Sequence, residues 1–252
     1  MTDRPAPPAI ADSWVALRRH TSARIAIGRA GFGLPVRAYL DFQAAHARAR
    51  DAVNAGLDVD ALSKDIAGCG LPFIVVRSAA PDRQAFLKRP DLGRRLADES
   101  AARLSEPMVA PEVAIVVGDG LSSVAVERNA VAVLDALCGR LREHGTVLAP
   151  IVIATQARVA LADQVGELLQ ARLSIMMLGE RPGLSAADSL GMYMTYEPRV
   201  GRLDSERNCI SNIRDGGMAA AEAAGHAFDL VQSMFAHCAS GVPLAVKKAR
   251  TA

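Results

Sequence analysis

Hydrophobic positions change their period partway along the chain. In RAYLDFQAAHARARDAVNA, apolar residues recur at helical spacing from Tyr39 to Val53, and Gly56 stops the run. Val59 to Ile66 predicts a second, shorter helix ended by Gly68. Phe73-Ile74-Val75-Val76 is a short β-rich run, and helical spacing returns over Asp82 to Lys88 and Asp91 to Leu104, on either side of Pro90. The stretch 105–111, SEPMVAP, carries two prolines and reads as a linker. Beyond it, Val113 to Val117 is continuously apolar, as expected of a strand buried on both faces. Gly118-Asp119-Gly120 breaks that run, and a helix follows from about Ser122 to Leu141, with Ser122 or Ser123 as its cap. Val147 to Ala154 predicts a second buried strand, and Thr155-Gln156-Ala157-Arg158 links it to a helix over Val159 to Gln170. Leu173 to Leu178 predicts a third strand, Met192 to Tyr196 a fourth, and Met218 to Cys238 a closing helix. RNCISNI, 207–213, has neither the helical nor the strand period and reads as irregular.

Strand, helix, strand, helix, strand with short connections implies right-handed crossovers and a mainly parallel sheet. The fold class is therefore α/β. Residues 1–12 read as a Pro-rich flexible arm, 13–107 as a mostly helical region, and 108–252 as the domain expected to carry the sheet. No internal repeat is present.

Composition narrows the class. Half of the residues are hydrophobic but only 4% are aromatic, so the core is built from Ala, Val, Leu and Ile. Ala-rich cores pack closely but bury little area per residue, a reason to expect support from a partner subunit. The net charge is +2 and the pI is near 8.4, with lysine only at Lys64, Lys88, Lys247 and Lys248. No block of like charge gives a nucleic-acid footprint. Cys69, Cys138, Cys209 and Cys238 have no C-x-x-C spacing, which argues against a zinc site and suits a reducing compartment. The opening MTDRPAPPAIADSW has proline and acid where a signal peptide needs an apolar run, and no apolar segment reaches membrane-spanning length. A soluble, cytoplasmic protein is expected.

In an open α/β sheet, ligands bind beyond the carboxyl ends of the strands. Three polar segments fall there: GDGLS (118–122), TQARV (155–159) and GERPGLS (179–185). GDGLS permits a tight turn whose N–H groups face an anion, or is an ordinary turn with Asp119 bound to backbone. It matches neither G-x-G-x-x-G nor a P-loop. Glu180 is a ligand acceptor or a surface partner of Arg181. RNCISNI is a ligand-facing surface or a self-bonded loop with Cys209 buried. The histidines at 20, 46, 144, 226 and 237 are scattered, without H-x-x-x-H, H-E-x-x-H or D-x-H-x-x-G.

Several blocks, in order, resemble the small subunit of ethanolamine ammonia-lyase. They are SARIAIGRAG (22–31), LDFQAAHARARDAV (40–53), RPDLGRRL (89–96), VAIVVGDGLSSVAVERNA (113–130), QARVALAD (156–163), GERPGLSAADSLGMYMTY (179–196) and ERNCISNI (206–213). The resemblance spans roughly 22–245 and implies an N-terminal helical portion followed by a Rossmann-like domain. It implies an enzyme that converts ethanolamine to acetaldehyde and ammonia by radical chemistry, with adenosylcobalamin as cofactor. The partner is a large TIM-barrel subunit that holds substrate, typically in assemblies of six large and six small chains, with cobalamin at the interface. By motif position, the cobalamin-binding residues are Val159 in QARVALAD, Glu180 in GERPGLS and Cys209 in RNCISNI. Catalytic residues and the lower cobalt ligand are not expected on this chain. The segment before Ser13 is shorter than in members addressed to bacterial microcompartments, so the cytoplasm is expected, with a microcompartment as the alternative. Two rivals remain, a free-standing nucleotide-binding enzyme using GDGLS and a structural subunit that does not touch cofactor.

Overall fold

A computed structural model describes residues 12–105 and 110–251. The expected flexible arm lies outside the described residues except for Asp12, and the expected linker lies outside them at 106–109. Six strands make one sheet: β1 (Phe73–Arg77), β2 (Val113–Gly118), β3 (Ile151–Thr155), β4 (Leu173–Gly179), β5 (Leu190–Tyr196) and β6 (Arg207–Ile213). The helices are α1 (Val36–Asn54), α2 (Val59–Gly68), α3 (Arg83–Lys88), α4 (Asp98–Leu104), α5 (Ser123–Glu143), α6 (Leu161–Leu168), α7 (Ala220–His237) and α8 (Gly241–Thr251).

The strand order is β1-β3-β2-β4-β5-β6. The first four are parallel, and β5 and β6 are added antiparallel. The protein is α/β, with a mainly parallel core sheet as its sequence predicts. β1 comes from the first half of the chain yet pairs with β3 along its whole length, so the sheet draws on residues before and after 108. Helices cover both faces. On one, α2, α5 and α7 bury Leu62, Leu134 and Val231 against Ile115, Ile175 and Met192. On the other, α4 and α6 bury Leu104, Leu161 and Val165 against Val116, Val152 and Met176. The apolar strands are buried on both faces because both faces carry helices.

Three expectations need correction. RNCISNI is not irregular; it is the edge strand β6. Asp91 to Leu104 is not one helix. A 3₁₀ turn at Leu92–Arg94 is followed by extended chain, whose Arg95 carbonyl accepts from the Ala79 N–H and whose Ala97 N–H donates to the Arg77 carbonyl. Tertiary hydrogen bonding beyond the end of β1 outweighs the helical periodicity there. The strand expected from Val147 begins only at Ile151, after Pro150, which has no N–H to give a ladder.

Candidate functional site

The three carboxyl-end loops converge, as topology requires, but they interlock; only the far part of GERPGLS, Gly183 to Ser185, goes on to line a cleft, of about 450 Å³, against α1 and α5. Asp119 is buried, and its carboxylate accepts from the Ala157 N–H (2.9 Å) and pairs with Arg83 Nη1 (3.3 Å). Burial pushes its carboxyl up; the N–H groups of the β3 loop and Arg83 pull the other way. Gly120 has φ +56°, and its α-carbon lies against the backbone of Gly179, while the Leu121 N–H donates to the Gly179 carbonyl (2.9 Å). Ser122 caps α5 by accepting from the Ala125 N–H. GDGLS is thus a turn bound to its own chain. The close approach of Gly120 to Gly179 leaves no space for an anion at the start of α5.

Polar groups that do reach solvent lie further along, on β5 and β6. Leu190 pairs with Ile213 and Met192 with Ile210, so Gly191 alone stands opposite Ser211 and Asn212. This is a β-bulge, with Asn212 in the left-handed region (φ 60°). The extra residue explains the missing strand period. Ile210 and Ile213, three apart, both face the core, while Cys209, Ser211 and Asn212 stay exposed. The bulge also turns the Asn212 N–H toward Glu180 Oε2 (3.4 Å).

Glu180, one residue past β4, folds back over this bulge. Its carboxylate accepts from the Ser189 hydroxyl, and its own N–H donates to the Ser189 carbonyl (2.9 Å). Gly191 makes the room, since a β-carbon there would sit 2.9 Å from Glu180 Oε1. Tyr193 pairs with Cys209 in the ladder, and the two side chains interact. The tyrosine is pushed up to about 12, by burial first and then by Cys209 and Glu180. Cys209 is likewise raised, by burial first and then by the Glu180 carboxylate, with the Tyr193 hydrogen bond offsetting part. Both shifts favour the protonated phenol and thiol.

Val159 sits just before α6 and packs against the apolar cluster that also receives Tyr193. On this face α6 covers β2 and β4. Among the described residues, the face of β5 and β6 beside it remains open at Cys209. A buried ion pair fixes the two borders of that opening. Arg207 of β6 reaches Asp163 of α6 (Nη1 to Oδ1, 2.5 Å) and donates to Thr195 Oγ1 (3.0 Å) and the Arg202 carbonyl (2.9 Å). Among the described residues, no group of three His, Cys, Asp or Glu side chains is placed to hold a metal ion.

The sequence profile of the ethanolamine ammonia-lyase light chain (EutC) family matches residues 11–245. The chain belongs to this family. It is 50% identical to an ethanolamine ammonia-lyase small subunit of Azotobacter vinelandii over 97% of its own length and 91% of that protein's. It is 48% identical to one from Xanthomonas campestris pv. campestris, over 92% and 87% of the two chains. A Pseudomonas aeruginosa small subunit is 46% identical over 97% and 91%.

As a light chain of this family, the protein is a lyase subunit, and its open face is the place to compare with expectation. Glu180 and Cys209 are brought together with Tyr193, and Val159 lies on the same side of the sheet. Glu180 is not the surface partner of Arg181, because Ser189 and Asn212 hold it. Cys209 is not buried in a self-bonded loop; it is exposed in a strand. Sequence reasoning missed Tyr193, Gly191 and Ser189, all within the GERPGLSAADSLGMYMTY block. Strand alternation from Met192 would have put Gly191 and Tyr193 on the opposite face from Met192 and Met194. The bulge that brings Asn212 over that face has no comparable local signal.

Proposed function

We propose that the chain is the small subunit of an adenosylcobalamin-dependent ethanolamine ammonia-lyase, and that Val159, Glu180 and Cys209 grip cobalamin where the subunit meets a large TIM-barrel partner. The observation that carries this reading is the open β5–β6 face, where a carboxylate, a phenol and a thiol converge beside an apolar wall. Those groups suit a corrin edge. Glu180 accepts from its amide side chains, Cys209 is small enough for close approach, and Val159 offers apolar contact. When bound, adenosylcobalamin supplies the radical chemistry that turns ethanolamine into acetaldehyde and ammonia. The residues of this chain bind and orient the cofactor and exclude water, and none is assigned to a proton transfer. The division at 107/108, a complex of six large and six small chains, and a cytoplasmic setting with a microcompartment as the alternative belong to the same reading. The nucleotide-binding reading loses its site, since the GDGLS turn is closed by its own backbone.

The test uses the co-expressed complex of both chains. Glu180→Ala removes a charged acceptor, a loss of about 1.5–3 kcal/mol. The Kd for hydroxocobalamin, followed by its absorption spectrum, should rise about tenfold or more. The KM for ethanolamine at saturating cofactor should stay within about twofold. Equal losses in both would mean general destabilisation, and unchanged cobalamin affinity would remove Glu180 from the site.

A further inference from the structure

The parallel sheet changes its winding direction between β2 and β3. These strands are neighbours, yet β2 leads into α5 on one face and β3 into α6 on the other. Ligands of α/β sheets settle where such loops part. On the α5 side Gly120 closes the gap against Gly179, but the β3 side gathers positive charge. Gln156, in the left-handed region (φ 56°), turns the loop so that the Ala157 N–H meets Asp119, and Arg158 follows at once. Arg158 is held in place. Its N–H donates to the Gly93 carbonyl (2.8 Å), and its Cγ uses the space over Gly93, where a β-carbon would come within 2.7 Å. Its guanidinium lies 4.3 Å from the centroid of the fully buried Phe86 ring, and Nη2 donates to the Phe86 carbonyl (3.2 Å). Arg83 stands over the same ring at 4.8 Å. Arg94, which ends the 3₁₀ turn beside Gly93, is exposed.

Three arginines thus share this corner with one carboxylate, and Asp119 is already engaged by Arg83 and the Ala157 N–H. Neither Arg94 nor Arg158 is in an ion pair among the described residues. Burial lowers the Arg158 pKa first, and the charges of Arg83 and Arg94 lower it further, with Asp119 opposing. Arg158 Nε and Arg83 Nη2 are buried and make no hydrogen bond among the described residues. Like charges and unpaired donors held on a rigid scaffold cost stability, and such costs are kept where a counter-ion binds. We propose that Arg158 and Arg94 form a phosphate-binding site. A carboxylate has two oxygens, which one guanidinium fork saturates; a phosphate group has oxygens for two arginines. Val159, the next residue, is a proposed corrin contact, and adenosylcobalamin carries a phosphodiester in its nucleotide loop. That source of the phosphate rests on the cobalamin reading above; free inorganic phosphate is the other source.

The test measures two dissociation constants of the co-expressed complex at constant ionic strength. One is for hydroxocobalamin, the other for hydroxocobinamide, which has the same corrin but no nucleotide and no phosphate. Arg158→Met keeps an apolar stem against Gly93 and Phe86 and removes the charge. It should raise the hydroxocobalamin Kd about tenfold or more and leave the hydroxocobinamide Kd within about twofold. Arg94→Met should shift the same ratio severalfold, and Arg158→Lys should recover most of the loss. Inorganic phosphate, titrated into the full small chain and followed by phosphorus NMR, should bind, and Arg158→Met should weaken it at least severalfold. Phosphate binding that depends on Arg158, with an unchanged ratio between the two corrinoids, would keep the site and assign it to free phosphate. Equal losses for both corrinoids with no Arg158-dependent phosphate binding would make Arg158 structural and overturn the proposal. A wild-type complex that takes up neither corrinoid would refute the cobalamin reading, and the phosphate titration alone would then decide the site.

Discussion

Glu180 shows how much one side chain can depend on a neighbour that has none. It occupies the space above Gly191 and is steered by the Ser189 hydroxyl and the Asn212 N–H. Gly191→Ala would place a β-carbon 2.9 Å from Glu180 Oε1 and 3.1 Å from its Cγ. Tyr193 Cε2 also lies 3.1 Å from that position, but all three atoms belong to side chains and none to backbone, so the strand should survive once Glu180 and the Tyr193 ring give way. Alanine is also less costly than glycine in a strand interior, by about 0.5–1 kcal/mol. The expected outcome is unchanged or slightly raised stability with the carboxylate swung away from Cys209. Since that carboxylate helps to raise the thiol, its departure lowers the Cys209 pKa. A faster reaction of Cys209 with a disulfide reagent at pH 8, in the isolated chain, checks this; an unchanged rate would show that Glu180 keeps its place.

At the scale of elements, the proposed site requires α6 and β6 to be held at a fixed separation, because Val159 precedes one and Cys209 lies in the other. The Arg207–Asp163 pair makes that connection, with both side chains nearly inaccessible. Removing one member of a buried pair leaves the other uncompensated, which costs about 3–5 kcal/mol. Arg207→Ala should therefore lower the melting temperature by roughly 10 °C, for about 2–4 °C per kcal/mol in a chain of this size. Replacing both residues by apolar ones of similar volume should recover much of the loss. A melting temperature within 2 °C of wild type in Arg207→Ala would deny the pair this role. β6 otherwise depends on one ladder partner and on Ile210 and Ile213 packed toward α7, as suits an edge strand that keeps its outer face polar.

For the whole molecule, the sheet divides the labour. Four parallel strands between two helical layers form the apolar core, and the antiparallel β5–β6 extension carries polar groups on an open face. No helix among the described residues is long and apolar enough to cross a membrane. On the proposed function, in which the chain grips the cofactor and the partner holds substrate, it should be inert alone. The purified chain, given adenosylcobalamin and ethanolamine, should release no acetaldehyde, and activity should appear only on adding the large chain. Turnover by the single chain would sink the subunit reading.

By itself, the sequence determined the class of fold and the order of the core elements. Val113–Val117 is apolar at every position and Leu173–Leu178 at every position but Ser174, a local property that suits a doubly covered strand. It also determined the family, through blocks long enough to survive divergence. Tertiary structure decided what periodicity cannot carry. β6 hides from pattern reading because a bulge at Ser211 and Asn212 breaks its alternation, and a bulge exists only relative to the strand opposite. The open GDGLS turn became a closed one because Gly179, distant in sequence, fills it. Tyr193 joined Glu180 and Cys209 through ladder register, which is set between strands and not along any one of them.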